Sequence, residues 1–182
     1  MTAAPLGPAD RAALLALARA ALLHRLGLGP TPAPPAGGPL AARRAAFVTV
    51  TAGGETRAVL GELEARGPLG EAVARLAARA ADGDPRFPPL GPADAGALSL
   101  RLAVLGPPRP LPPGAPVRVG EQGLAVTQGW HRGVLLPSAA EGRGWDAGQF
   151  LKHACLAAGL TARAHLEPDT AVEVFEAEEF GE

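Results

Sequence analysis

Proline and glycine interrupt this chain before any helix or strand can grow long: 20 prolines and 24 glycines stand among 182 residues. They gather in two stretches, PTPAPPAGGP at 30–39 and a second at 106–116. Proline fixes φ and removes a backbone donor, so neither stretch sustains a helix or a central strand, and both read as connections. The fold must therefore be assembled from many brief elements. The length suits one domain, 1–182, with two lobes and enough chain to bury roughly 70% of its unfolded surface.

The segments between the breakers carry clear periodicities. Residues 9–26 predict an amphipathic helix with Leu14, Leu15, Ala18 and Leu22 on one stripe, Asp10 near its positive end and Gly27 beyond it. Residues 47–51 and 56–60 flank Gly53-Gly54, a two-residue turn signal, and predict an antiparallel hairpin. That spacing sets Arg57 opposite Val50 and Val59 opposite Val48. Residues 69–81 predict a helix with Leu69, Val73, Leu76 and Ala80 on its apolar stripe, Glu71 one turn before Arg75, and Asp82-Gly83 as its stop. Strands are expected at 98–105, 117–119, 124–127, 133–136 and 170–175. Asp146 and Gln149 form a capping-box pattern that opens a helix running to about residue 158. The order is mixed and not a βαβ repeat, which suits an α+β body over 46–180.

Composition excludes several function classes. A net charge of −1, 4% aromatic residues and no basic run longer than Arg43-Arg44 leave no electrostatic footprint for nucleic acid. One cysteine, Cys155, rules out an intramolecular disulfide framework and a Cys-rich zinc site, and fits a reducing cytoplasm. The opening MTAAPLGPADRAALLALARAALL lacks a basic leader region and carries Asp10, Arg11 and Arg19, so it does not read as a signal peptide. No apolar run is long enough to cross a membrane. Lys152 is the only lysine, and this skew with the alanine excess suits a coding bias or a hot habitat.

No complete catalytic constellation is present. Arg57, if buried, needs a carboxylate, carbonyls or a bound anion. The loop Asp84-Pro85-Arg86-Phe87 can set a carboxylate and a guanidinium at one rim, or can simply be a rigid loop anchored by Phe87. Glu141, Arg143, Trp145 and Asp146 bring two carboxylates, a guanidinium and an indole to a helix entrance, where capping and packing are the plain roles. Cys155 has His153 two residues away, and i,i+2 on a helix diverge by about 200°, so the thiol reads as a small core residue. His24, His131, His153 and His165 show no metal-ligand spacing, and neither a metal nor a cofactor is assigned.

Taken together, FVTV at 47–50, Arg57 with Gly61, DPRFPPL at 84–90, Arg132 through Pro137, Gly144-Trp145-Asp146 with Phe150-Leu151, and Cys155 with Ala158-Gly159-Leu160 resemble the AMMECR-type domain, the AmmeMemoRadiSam system protein A of prokaryotes. The resemblance runs from about Arg11 to Phe180. It implies an α+β fold with an antiparallel sheet flanked by helices, in two unequal lobes with a groove between them. It also implies association with a Memo-like protein and a radical S-adenosylmethionine protein in a bacterial cytoplasm. One departure stands out: the family's Leu-Arg-Gly-Cys-Ile-Gly is Thr56-Arg57-Ala58-Val59-Leu60-Gly61 here, a valine replacing the thiol.

The expected function is an accessory or small-molecule-binding protein using Arg57, Asp84, Arg86, Glu141, Trp145 and Asp146. The alternative is an enzyme on a small polar or modified substrate with Glu141 or Asp84 as acid or base.

Overall fold

Two compact units make up the chain in a computed structural model that describes residues 5–35 and 37–182: one of Met1–Leu105 with Glu178–Glu182, the other of Gly106–Ala177. Residues 1–4, which begin the stretch weighed as a leader, and Ala36 of the Pro-rich connection lie outside the described residues. The architecture is α+β with antiparallel strands, as the alternation of periods requires.

The first unit holds α1 (Pro8–Arg25), β1 (Ala45–Ala52), β2 (Glu55–Gly61), α2 (Leu69–Asp82) and β3 (Leu98–Leu105). Proline at the first position of α1 loses nothing, because that N–H has no intrahelical acceptor, and Asp10 accepts the Gly7 N–H at 3.1 Å. The helix buries Leu14, Leu17, Ala18, Ala21 and Leu22. Leu15, expected on the stripe, is only partly buried. The stripe of α2 is buried as expected, with Leu69, Val73, Leu76 and Ala80 all in the core. Arg75, however, donates to Glu62 at 2.9 Å instead of pairing along the helix with Glu71. The two helices pack on each other and on the sheet, whose inner face presents Val48, Val50, Ala58, Leu100 and Leu102.

The hairpin corrects the expected register. Gly53 and Gly54 both adopt positive φ, 60° and 83°, which gives the tight turn and aligns Ala52 with Glu55 and Thr51 with Thr56. A β-bulge then intervenes: Val50 faces Ala58, so Arg57 is the extra residue and Val59 faces Thr49, not Val48. Arg57 therefore does not lie opposite Val50. Ala58 takes the buried inner position, and Val59 is displaced to the partly exposed side with Thr49.

The second unit holds β4 (Arg109–Pro110), β5 (Gln122–Gln128), β6 (His131–Leu135), α3 (Ala147–Ala157) and most of β7 (Ala171–Gly181). Strand β7 pairs with β5 and β4, and β5 pairs with β6. The expected strand at 117–119 is absent. Val117 is buried there without ladder pairing, between the prolines of the connection and a turn at Gly120. The core comprises Leu124, Val126, Val174, Phe150, Ala154 and Cys155. The capping box forms as expected: Asp146 accepts the Gln149 N–H at 2.8 Å, and Gln149 accepts the Asp146 N–H at 3.2 Å.

The closing strand runs six residues beyond its expected end at Phe175, and its last residues belong to the first unit. There Glu178 accepts from Arg44 at 2.7 Å, from the Leu6 N–H at 2.9 Å and from Arg11 at 3.3 Å. Burial alone would raise the Glu178 carboxyl, but these donors outweigh it and hold it below the usual range. Glu182 in turn accepts from Arg19 at 2.7 Å and from the Leu100 N–H at 3.0 Å.

Helix α3 lies tight on β6 because position 133 has no side chain. A Cβ on Gly133 would fall 2.3 Å from the Ala158 backbone nitrogen. Backbone cannot yield as a side-chain tip can, so Gly133→Ala is expected to lower stability by about 1–3 kcal/mol, read from the denaturant midpoint.

Candidate functional site

The candidate residues fall into two groups: Arg57, Asp84 and Arg86 in the first unit, and Glu141, Trp145 and Asp146 in the second. The first group is organised around strand β2. One side of β2 pairs with β1, which leaves the outward backbone groups of Val59 without a ladder partner. Asp84 and Arg86 supply one. Asp84 Oδ2 accepts the Val59 N–H at 3.1 Å, and Arg86 Nη2 donates to the Val59 carbonyl at 2.8 Å. The two side chains are joined by Arg86 Nε to Asp84 Oδ1 at 2.9 Å and Arg86 Nη2 to Asp84 Oδ2 at 2.6 Å. The Arg86 N–H also donates to Asp84 Oδ1.

Asp84 is 2% exposed, and a carboxylate so buried must be paired. The hydrogen bonds from Arg86, with those from the Val59 and Arg86 backbone, outweigh burial and bring its pKa down to about 2. Arg86 is correspondingly shifted upward by the same hydrogen bond. A carboxylate held ionised in this way is suited to bracing β2 and unsuited to exchanging protons near neutrality.

Arg57 is held differently. Its side chain is 19% exposed, yet its contacts are long: Nη1 donates to the Pro89 carbonyl at 3.4 Å, and Nη2 lies 3.7 Å from Asp94 Oδ1. Asp94 is meanwhile committed through Oδ2 to the Gly91 N–H at 2.8 Å. The Arg57 Nε is buried and has no acceptor among the described residues. The bulge thus aims a largely buried guanidinium at the 84–94 loop without strong neutralisation.

In the second unit, Trp145 is the centre. The His153 imidazole stacks on it at 4.0 Å and 11°, the Arg143 guanidinium lies 4.9 Å from its ring centre, and Phe150 sits 6.4 Å away. His153 is therefore engaged with the indole, as its divergence from Cys155 requires. Asp146 is spent on capping, and Glu141 is an exposed residue just beyond a short 3₁₀ turn.

Two features escaped the sequence. Cys155 Sγ lies 3.6 Å from Nδ1 of His165, ten positions downstream, a contact that helical spacing around Cys155 could not reveal. Burial is the main cause pushing this thiol upward, with hydrogen bonding at His165 opposing it, so the pair is no thiolate site. Trp130 stands fully exposed at the turn between β5 and β6. A tryptophan immediately after a turn glycine was the available signal. Among the described residues no group of three or more His, Cys, Asp or Glu is placed to hold a metal, and no helix is long and apolar enough to cross a membrane.

These units define an α+β protein whose Arg57 strand is braced by an Asp–Arg pair. The AMMECR1 family model matches residues 15–180, and the chain belongs to that family. A protein of Methanothermobacter thermautotrophicus is 42% identical over 146 residues, covering 77% of this chain and 76% of the relative. One from Methanopyrus kandleri is 38% identical over 179 residues, covering 93% and 86%. The crystal structure of an uncharacterised protein from Pyrococcus horikoshii is similar with a TM-score of 0.85 at 34% identity, covering 93% of this chain and 89% of that one.

Asp84 has its pKa depressed in the folded state, so the unfolded chain binds protons more readily and stability rises with pH through this range. The contribution, about 2 kcal/mol from the drop from 3.8 to about 2, is complete above pH ~4 and fades as pH falls toward ~2. Asp84→Asn should therefore be less stable than the native chain at neutral pH, with the gap closing across that window in urea titrations. Cys155 should resist a chromogenic disulfide reagent in the native state and react as one thiol per chain after denaturation.

Proposed function

We propose that this protein is a non-catalytic accessory subunit that holds a small anionic or polar ligand, or an anionic group of a partner, at Arg57. The observation that carries the reading is the state of the Arg57 guanidinium: largely buried, contacted only at 3.4 and 3.7 Å, with Nε lacking an acceptor among the described residues. An incoming carboxylate or phosphate would offer it shorter, charge-assisted hydrogen bonds than Pro89 and Asp94 provide. The brace at Val59 supports this role, since a recognition group is only as well placed as the strand that carries it.

The resemblance supplies the context. Members of this kind are associated with a Memo-like protein and a radical S-adenosylmethionine protein, and in this reading the chain acts beside them in a reducing cytoplasm. Valine stands at position 59, where the resemblance implies a thiol, which favours binding over covalent or redox chemistry in this chain. The enzymatic alternative draws little support from Asp84, which is committed to Arg86 and Val59.

The test is a thermal-shift screen with inorganic phosphate, nucleotides and S-adenosylmethionine, alone and with the two partner proteins, followed by calorimetry. Arg57→Ala is expected to weaken the binding found at least ~10-fold while its melting temperature without ligand stays near that of the native chain. Unchanged affinity in that variant, or no stabilisation by any probe or partner, overturns the reading.

A further inference from the structure

Among the described residues Asp94 is the carboxylate that faces the Arg57 guanidinium, and the two stop short of each other. Nη2 of Arg57 and Oδ1 of Asp94 lie 3.7 Å apart, beyond hydrogen-bond length, with 19% and 27% of the side chains open to solvent. Each is held by its own anchor. Asp94 commits Oδ2 to the Gly91 N–H at 2.8 Å, and its own N–H donates to the Gly91 carbonyl at 3.0 Å, which fixes the carboxylate at the start of the 3₁₀ turn Pro92–Ala97. Arg57 is carried by the bulge of β2. The Gly53 N–H at the hairpin turn donates to the Ala97 carbonyl at 3.0 Å, so the hairpin and the 3₁₀ turn are tied together, and Leu90, buried in the core, pins the loop that leads into that turn.

Neither group has another ion-pair partner among the described residues, and Oδ1 of Asp94 accepts no hydrogen bond from them. The neighbouring Asp84 and Arg86 cancel each other. What remains is a fixed, partly exposed cation and anion side by side, each with hydrogen-bonding capacity to spare. An open ion pair without a hydrogen bond contributes little on its own, so little is lost when a ligand takes over both charges.

The charge pattern selects the ligand. A dianion at Arg57 comes up against Asp94, and a simple carboxylate satisfies the guanidinium while crowding a like charge. A ligand that brings an anion to Arg57 and a cation to Asp94 meets both, through two charge-assisted hydrogen bonds. In an α-amino acid a single carbon separates the carboxylate from the ammonium, which is close enough for the two to reach Nη2 and Oδ1 together. We propose that Arg57 and Asp94 form a site for the zwitterionic head of a free α-amino acid, its carboxylate on Arg57 and its ammonium on Asp94. This rests on the reading of Arg57 as a binding group, and it narrows the ligand class and adds Asp94 as a second binding residue.

The experiment is calorimetry on the full chain with the common L-α-amino acids, then with the N-acetyl and carboxamide derivatives of those that bind, and with acetate and inorganic phosphate as anions lacking the ammonium. At least one amino acid is expected to bind, at least ~10-fold more tightly than its two derivatives, acetate or phosphate. Its binding should weaken as the pH is raised past the pKa of its own ammonium, while that of acetate should not. Asp94→Asn keeps an oxygen for the Gly91 N–H, so its melting temperature should stay near the native one, and it should erase the advantage over the N-acetyl derivative. The proposal is overturned if no amino acid binds, if the N-acetyl derivative binds as tightly, or if Asp94→Asn leaves the preference intact. Acetate or phosphate binding that needs Arg57, without a preference for the amino acid, sinks the zwitterion site and leaves the anion site standing. Amino-acid binding unchanged in Arg57→Ala removes both.

Discussion

Strand β2 depends on a pair of side chains where other strands depend on a neighbour. Its inner edge is satisfied by β1, but the outward N–H and carbonyl of Val59 would be a bare template without Asp84 and Arg86. The pair reproduces both halves of a ladder rung, one accepting and one donating, while satisfying its own charges internally. Backbone pairing is an obligation that burial makes strict, and two residues of the loop after α2 discharge it. Everything at the bulge inherits its position from that rung, including the direction in which Arg57 points.

The same arrangement separates two kinds of charged residue. Asp84 and Arg86 are short-bonded and mutually neutralised, so their chemistry is used up in structure. Arg57 is held only by distant partners, and the anion site proposed above rests on that difference. Proximity to a recognisable motif does not distinguish these cases, whereas bond lengths and acceptor counts do.

How much was legible in the sequence follows from the range of each interaction. The capping box of α3, the stripe of α2 and the Gly-Gly turn are local, and four or five residues encode them fully. The bulge at Arg57 was not legible, because a turn sets the register only until an extra residue is inserted, and here Ala58 claims the buried place opposite Val50. The Cys155–His165 contact and the Asp84–Val59 rung join positions on different elements, which no periodicity reports. The exposure of Trp130 escaped for the opposite reason: an aromatic residue is read as core unless something shows that nothing covers it.

Strand β7 begins in one unit and ends in the other. As the chain leaves the ribosome, residues 1–105 appear long before Glu178 and Glu182, with 106–177 still to be made. Until then Arg11, Arg19 and Arg44 have no such carboxylates to meet, and the first unit waits for its last strand. Its completion is therefore a late step of synthesis, reached only once the whole of the second unit has been made.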